Sequence, residues 1–254
     1  MTPSTQRPMI YAVLCFAALI TTVLNASAAD KVVKESIESQ KKKRTIYLFV
    51  PESIKPGTPA PLVVLLHGSG RNGLTLVDKW KDLAAKEGFI LVGPDSQDSS
   101  RWSSPVDGPD FLRDVVENVK SRYPINPRRV YLFGHSAGAV FALYMSLFES
   151  QYFAATAIHA GALRQHDAAI ALAKRKTPIT MFVGTVDPFF PLADVRATRD
   201  DLKNGGLDVE LTELPGHNHN YYEIAAKINN SAWEFLKKHE LTEDPQYETY
   251  NWNK

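Results

Sequence analysis

Ser136 stands at the centre of Gly134-His135-Ser136-Ala137-Gly138, between an apolar run, Val130 to Phe133, and a helix-forming run, Ala139 to Glu149. Strand, tight turn and helix in that order, with a serine at the apex, form the pattern of a nucleophile elbow. The turn puts the serine in a strained backbone conformation that leaves room only for small neighbours. Hence glycine occupies the positions two before and two after it. The hydroxyl then emerges at the carboxyl edge of a sheet, beside a helix N-terminus that favours developing negative charge.

A serine hydroxyl is a weak nucleophile. It needs a base to take its proton, and the base needs an acid to orient it. Asp187, in Gly184-Thr185-Val186-Asp187-Pro188, follows an apolar run by a short turn and is the candidate acid. It could instead cap the helix that begins near Leu192. It lies about one helical turn too early for that, and Pro188 intervenes. Asp194 is the reserve, placed inside that helix. Two histidines compete for the base. Both His217 and His219 lie in Pro215-Gly216-His217-Asn218-His219-Asn220-Tyr221-Tyr222, after the last apolar run. Loop residues two apart point in different directions, so one of them serves.

The tetrahedral intermediate needs hydrogen-bond donors as well. The Ala137 N–H, directly after the serine, is one candidate. The other is the Ser69 N–H in His67-Gly68-Ser69-Gly70, where the glycines let the backbone approach a substrate. One such donor contributes about 3 kcal/mol of transition-state stabilisation.

The elements that must hold these groups are legible as an alternation. Arg44 to Val50 reads as a strand, preceded by a weaker one from Val32 to Ile37, and Lys41-Lys42-Lys43-Arg44 reads as a solvated turn. Pro61 to Leu66 is a continuous apolar run, as in strands buried on both faces. Strands follow at Phe89 to Gly93, Val130 to Phe133, Phe153 to His159, Pro178 to Gly184 and Asp208 to Leu214. Helices intervene at Leu74 to Glu87, Asp107 to Tyr123, Ala139 to Glu149, Ala168 to Arg175 and Leu192 to Lys203, and one from Tyr222 to His239 closes the series. This predicts an α/β fold, with a mostly parallel central sheet and helices on both faces. Acids and bases of such folds collect at the carboxyl ends of the strands.

The chain has 254 residues, 44% of them hydrophobic, enough for one large domain over residues 29–241. Its 29 basic and 28 acidic residues give no electrostatic reason for a nucleic-acid partner. Arg7, an uncharged apolar run from Met9 to Leu24 and the small residues Ala26-Ser27-Ala28 lay out a signal peptide over residues 1–28. The apolar run is shorter than the roughly 20 residues that span a bilayer. The expectation is export to the periplasm or medium, with no stable membrane anchor after cleavage. Cys15, the single cysteine, falls in that leader. Cysteine nucleophiles and thiolate metal sites are thereby excluded from the mature domain. Residues 242–254 lack periodicity and read as a loosely packed tail.

Pro61 to Gly68, Val130 to Gly138, Asp187 and His219 together resemble the α/β-hydrolase superfamily. More closely, they resemble its esterase branch, which contains polyhydroxybutyrate-depolymerase-like, feruloyl-esterase-like and esterase-D-like proteins. The stretch from Phe111 to Tyr131 also looks like that branch. The resemblance implies the α/β-hydrolase fold and the order serine, aspartate, histidine. It also implies a base two variable residues beyond a proline-glycine pair, which is His219 here. His217 then supports the base or faces the substrate. Ala139 stands where many relatives have another glycine, and the cysteines of fungal and depolymerase relatives are missing. No long insertion separates the strand ending near His159 from the helix near Ala168, so little or no lid is expected.

Trp102, in the polar loop from Ser96 to Pro105, is a candidate to stack on an acyl or sugar group, or else packs at the surface. Phe189, Phe190, Tyr221 and Tyr222 flank the acid and base. One phenylalanine, with Phe189 the candidate, would wall the pocket, and one tyrosine would be core. His135 and His67 read as structural. No spacing of ligands indicates a metal. The expected activity is hydrolysis of a small-molecule or oligomeric ester through an acyl-enzyme, with no cofactor. A serine peptidase of the same fold and a non-catalytic binding protein on this scaffold are the rivals.

Overall fold

The computed structural model describes residues 31–250. The expected leader with Cys15, and residues 251–254 of the tail, lie outside the described residues. Strands β1 (Val33–Ser39), β2 (Lys42–Phe49), β3 (Ala60–Leu66), β4 (Ile90–Pro94), β5 (Ile125–His135), β6 (Ala155–His159), β7 (Ile179–Gly184) and β8 (Val209–Leu214) form one sheet. Its spatial order is β1-β2-β4-β3-β5-β6-β7-β8. The pairs among β1, β2 and β4 are antiparallel, and every pair from β4–β3 to β7–β8 is parallel. The helices are α1 (Gly73–Glu87), α2 (Pro109–Lys120), α3 (Ala137–Phe148), α4 (Leu192–Asn204) and α5 (Tyr221–Leu236).

Two apolar layers follow from the period-two geometry of the central strands. Leu62, Val64 and Leu66 of β3, with Val130 and Leu132 of β5, face α2, α3 and α4. Val63 and Leu65, with Tyr131 and Phe133, face α1 and α5. Both faces are covered, so all seven residues of β3 are buried, as the unbroken apolar run requires. Helix α1 starts where the Asn72 side chain accepts the Thr75 N–H, and stops at Gly88, whose φ is 76°.

Four sequence expectations are corrected. Lys41 to Arg44 is not a solvated turn, because Lys42 to Arg44 already belong to β2 and the β1–β2 turn is Gln40-Lys41. Arg44 is buried, with its guanidinium 2.5 Å from the Asp107 carboxylate and 3.6 Å from the Phe111 ring centre. Asp107 also accepts the Gln97 and Ser103 N–H groups, so it lies outside α2, which starts two residues later. The helix expected at Ala168 to Arg175 is a single 3-10 turn, Ala168–Leu172. The tail is docked through residue 250. Tyr247 donates to Asp110, Tyr250 donates to the Phe148 carbonyl, and Glu248 pairs with Lys174.

The Arg44–Asp107 pair is closed to water, so neither charge tolerates the loss of its partner. Asp107→Ala is expected to lower the unfolding free energy by about 3–5 kcal/mol in urea denaturation. Asp244→Ala, which breaks the exposed pair with Arg128, should change it by less than about 1 kcal/mol.

Candidate active site

Ser136 lies between β5 and α3 with φ 57° and ψ −119°, a conformation an L-residue holds only under constraint. The constraint is close backbone packing. A Cβ on Gly138 would stand 2.0 Å from the Leu66 carbonyl oxygen, and one on Gly134 would stand 2.2 Å from the Gly138 oxygen. The two glycines let α3 start against the end of β3. The Ser136 N–H is tied to the His159 carbonyl at the end of β6, at 3.0 Å. The hydroxyl is left facing out.

Beyond it, the Ser136 Oγ–H donates to His219 Nε2 at 2.9 Å, and His219 Nδ1–H donates to Asp187 Oδ2 at 2.8 Å. The Asp187 carboxylate is enclosed by protein, while the His219 ring keeps one edge open. Asp187 divides its two oxygens. Oδ1 accepts the Phe189 and Phe190 N–H groups, at 2.8 and 3.0 Å, and Oδ2 faces the imidazole. The turn that fixes the acid thus leaves its other oxygen for the histidine. The loops carrying acid and base are also joined directly. The Val186 N–H donates to the His217 carbonyl, and the Gly216 N–H to Thr185 Oγ1. Asp194 is exposed on the first turn of α4, outside this group.

Ala137 is the first residue of α3, so its N–H has no acceptor within the helix. Ser69 and Gly68 line the cavity beside Ser136. Their loop is held from beneath. His67 is buried, with Nδ1 2.9 Å from the Gly68 carbonyl and Nε2 accepting the Ser96 N–H at 3.1 Å. That pairing places its proton on Nδ1, and burial lowers its pKa, which keeps the ring neutral. Trp102 completes the support. Its indole N–H donates to the His67 carbonyl, and its ring stacks on Phe141. It is absent from the cavity lining, so the substrate-stacking expectation for Trp102 is replaced by a scaffolding position.

Under the site lies a group of histidines that the sequence did not connect. His135 Nδ1 and His159 Nδ1 are 3.0 Å apart, one donating to the other. The ring of His135 lies 5.0 Å from that of His219, and His159 lies 5.5 Å from His217. Burial, then the neighbouring His219, pushes His135 down to about 3. Burial, then His135, pushes His159 down to about 2. Both remain neutral beneath His219 at neutral pH. His217 turns toward His159 and does not line the cavity, so it is not substrate-facing. The signal for this group was the β5–β6 register, which pairs His135 with His159.

The cavity over Ser136 has a volume of about 380 Å³. Phe189 walls it and is 70% exposed, with its ring edge-on to His219 at 4.8 Å. Tyr222 lines it from the other side, while Tyr221 is core, as one tyrosine was expected to be. No residue of the 160–178 connection between β6 and β7 reaches it. Among the described residues, no group of three or more His, Cys, Asp or Glu side chains is placed to hold a metal ion.

Comparison with known proteins gives the family. The family model described as phospholipase/carboxylesterase matches residues 111–240, half of the chain. The chain belongs to that family, within the esterase branch of the α/β-hydrolases. It is 28% identical over 118 residues to a bifunctional acetylxylan esterase/xylanase of Neocallimastix patriciarum, covering 45% of this chain and 17% of that protein. It is 32% identical over 123 residues to poly(3-hydroxyalkanoate) depolymerase C of Paucimonas lemoignei, covering 42% of this chain and 30% of that protein. The match thus spans less than a third of either relative's length. The crystal structure of a thermostable esterase superposes with a TM-score of 0.69 at 22% identity, over 83% of this chain and 64% of that one. The likeness to that structure is one of fold.

The neutral histidines under the site carry a pH signature. A buried histidine whose folded pKa is depressed binds its proton in the unfolded chain first. Its contribution to stability is therefore complete above about 6.5 and is lost as pH falls below that value. Replacing His159 by leucine removes this liability. Between pH 7 and pH 5 the unfolding free energy of the wild type should fall by about 2 kcal/mol more than that of His159→Leu. Urea titrations at the two pH values measure the difference.

Proposed function

We propose that the protein is an exported serine esterase in which Ser136, His219 and Asp187 form the catalytic triad. The observation that carries this reading is the continuous hydrogen-bond chain from the Ser136 hydroxyl through His219 to Asp187, opening on a shared cavity. Ser136 Oγ attacks the ester carbonyl while His219 Nε2 takes its proton. Asp187 holds the imidazole with its proton on Nδ1 and stabilises the imidazolium that forms. The oxyanion is received by the N–H groups of Ala137 and Ser69. Collapse of the intermediate breaks the bond to the alcohol, which leaves with the proton from His219. Water, deprotonated by the same histidine, then releases the acid from Ser136. Hydrogen bonds to Asp187 from two backbone N–H groups keep it oriented through both half-reactions.

The open cavity suits small esters, or ester side groups that protrude from an oligomer. The names of the two partial relatives support the same class, one an acetylxylan esterase and one a polyhydroxyalkanoate depolymerase. Export rests on the leader pattern of residues 1–28. Among the described residues, no helix is long and apolar enough to cross a membrane.

Short-chain p-nitrophenyl esters and a fluorophosphonate probe test the reading. The wild type should turn over the esters and be labelled at Ser136. Ser136→Ala should lose roughly 10⁴-fold or more in kcat, and Asp187→Asn roughly 10⁴-fold. The base is tested by a pair of variants. His219→Ala should fall as far as Ser136→Ala, whereas His217→Ala should stay within about tenfold of the wild type, since its ring packs on His159 and not on the serine. Absence of both turnover and labelling overturns the esterase, and inactivity confined to His217→Ala overturns the base.

A further inference from the structure

One charged side chain at this cavity has no part in the triad. Arg71 follows directly on the oxyanion loop, with its N–H donating to the Gly68 carbonyl at 3.2 Å. It is exposed and lines the same cavity as Ser136, Ser69 and His219. Its guanidinium lies over the Tyr222 ring, 5.1 Å from the centroid. Tyr222 is in turn fixed by its hydroxyl, which donates to Thr75 Oγ1 on α1 at 3.3 Å. The cation is therefore held at the cavity mouth by an aromatic face.

Most arginines of this protein meet a carboxylate, as Arg44, Arg113, Arg122, Arg128, Arg196 and Arg199 do. Arg71 makes no ion pair and no side-chain hydrogen bond among the described residues. No acidic residue lines the cavity. The Asp187 carboxylate is enclosed and already engaged by His219 and two N–H groups, and that of Glu223 accepts from the Asn220 side chain. A planar fork of donors with unspent hydrogen-bonding capacity thus borders the place where the ester binds.

Resting on the esterase reading, we propose that Arg71 is a specificity determinant and that the esters this site favours carry a carboxylate on the acyl or the alcohol portion, placed to meet the guanidinium at the cavity mouth. The recognition is a charge-assisted, two-pronged hydrogen bond to the carboxylate oxygens. It does not touch the reacting atoms, so it acts on capture of the substrate. Exposure to solvent limits its strength to that of a surface ion pair, roughly fivefold in kcat/KM. Such a pair weakens with salt.

Two matched ester pairs test the proposal and locate the carboxylate. On the alcohol side, 4-acetoxybenzoate is compared with its neutral methyl ester. On the acyl side, the mono-4-nitrophenyl ester of adipic acid is compared with 4-nitrophenyl hexanoate. The readout is the ratio of kcat/KM for the anionic member over the neutral one, in the wild type and in Arg71→Gln, so that the intrinsic reactivity of each ester cancels. In one pair the ratio should fall roughly fivefold in Arg71→Gln, chiefly through KM, and Arg71→Lys should restore part of it. The pair that responds identifies the side bearing the carboxylate. In the wild type alone, 0.5 M NaCl should compress the same ratio.

Equal ratios in wild type and Arg71→Gln for both pairs, with no effect of salt, would overturn the inference and leave the esterase standing. An equal loss on the anionic and neutral members would overturn it too, since Arg71 would then act on the oxyanion. Failure of the wild type to hydrolyse any of the four esters would sink the esterase and the inference together.

Discussion

The contact on which the site depends is the approach of two backbones, where the start of α3 rests against the end of β3. Gly138 and the Leu66 carbonyl meet at a separation that no side chain could share. Because α3 is pressed this far into the sheet, Ser136 must take its strained turn. The loop that continues from Leu66 through His67 to Ser69 leaves the sheet at the same place. The turn at Ser136 and the Gly68-Ser69 loop are thus set by one steric fact. The strain at Ser136 is of the order of 1–3 kcal/mol and is held by packing of the central strands on both faces. In this sense the buried core of β3 and β5 maintains a geometry that the turn would not adopt alone.

A similar economy joins the acid to the base. Gly184 ends β7 against the His217 carbonyl, so closely that a Cβ would stand 2.0 Å from the oxygen. The Val186 N–H donates to the same carbonyl. Asp187 and His219 are far apart in the chain and adjacent in space because their loops are sutured just below them. The carbonyl of His217 therefore does more here than its imidazole, which turns away to His159. This explains physically why two histidines so alike in sequence differ in position. One supplies backbone to the suture, and the other supplies the ring that projects from it.

How much of this was legible in the sequence divides along local and non-local lines. The tight turn at Ser136, Asp187 at a strand end, the glycine loop after β3 and the alternation of elements all follow from short-range chemistry. They appear where the residues indicated. The proline-glycine spacing indicated His219, and the described hydrogen bonds place that ring on the serine. The misreadings concern partners distant in the chain. Arg44 looked like one of a solvated basic run, because Asp107 and Phe111 meet it only when α2 packs beneath β1 and β2. Trp102 looked free to face substrate, because the His67 carbonyl that captures its indole comes from another loop. His135 and His159 pair through strand register, which periodicity does not contain. The tail has no repeat of its own and takes its order from Asp110, Phe148 and Lys174.

The roofless cavity has a kinetic meaning. An enzyme with a lid spends part of its cycle opening and closing it, and that motion often limits turnover. Here one exposed aromatic wall stands beside the histidine, and the connection between β6 and β7 stays clear of the serine. With no gate among the described residues, an ester bound as proposed would meet a site already assembled, and the cycle time would pass to bond making and breaking. Such a catalyst would respond to how good a leaving group the alcohol is, while remaining largely indifferent to how much molecule trails behind it into solvent.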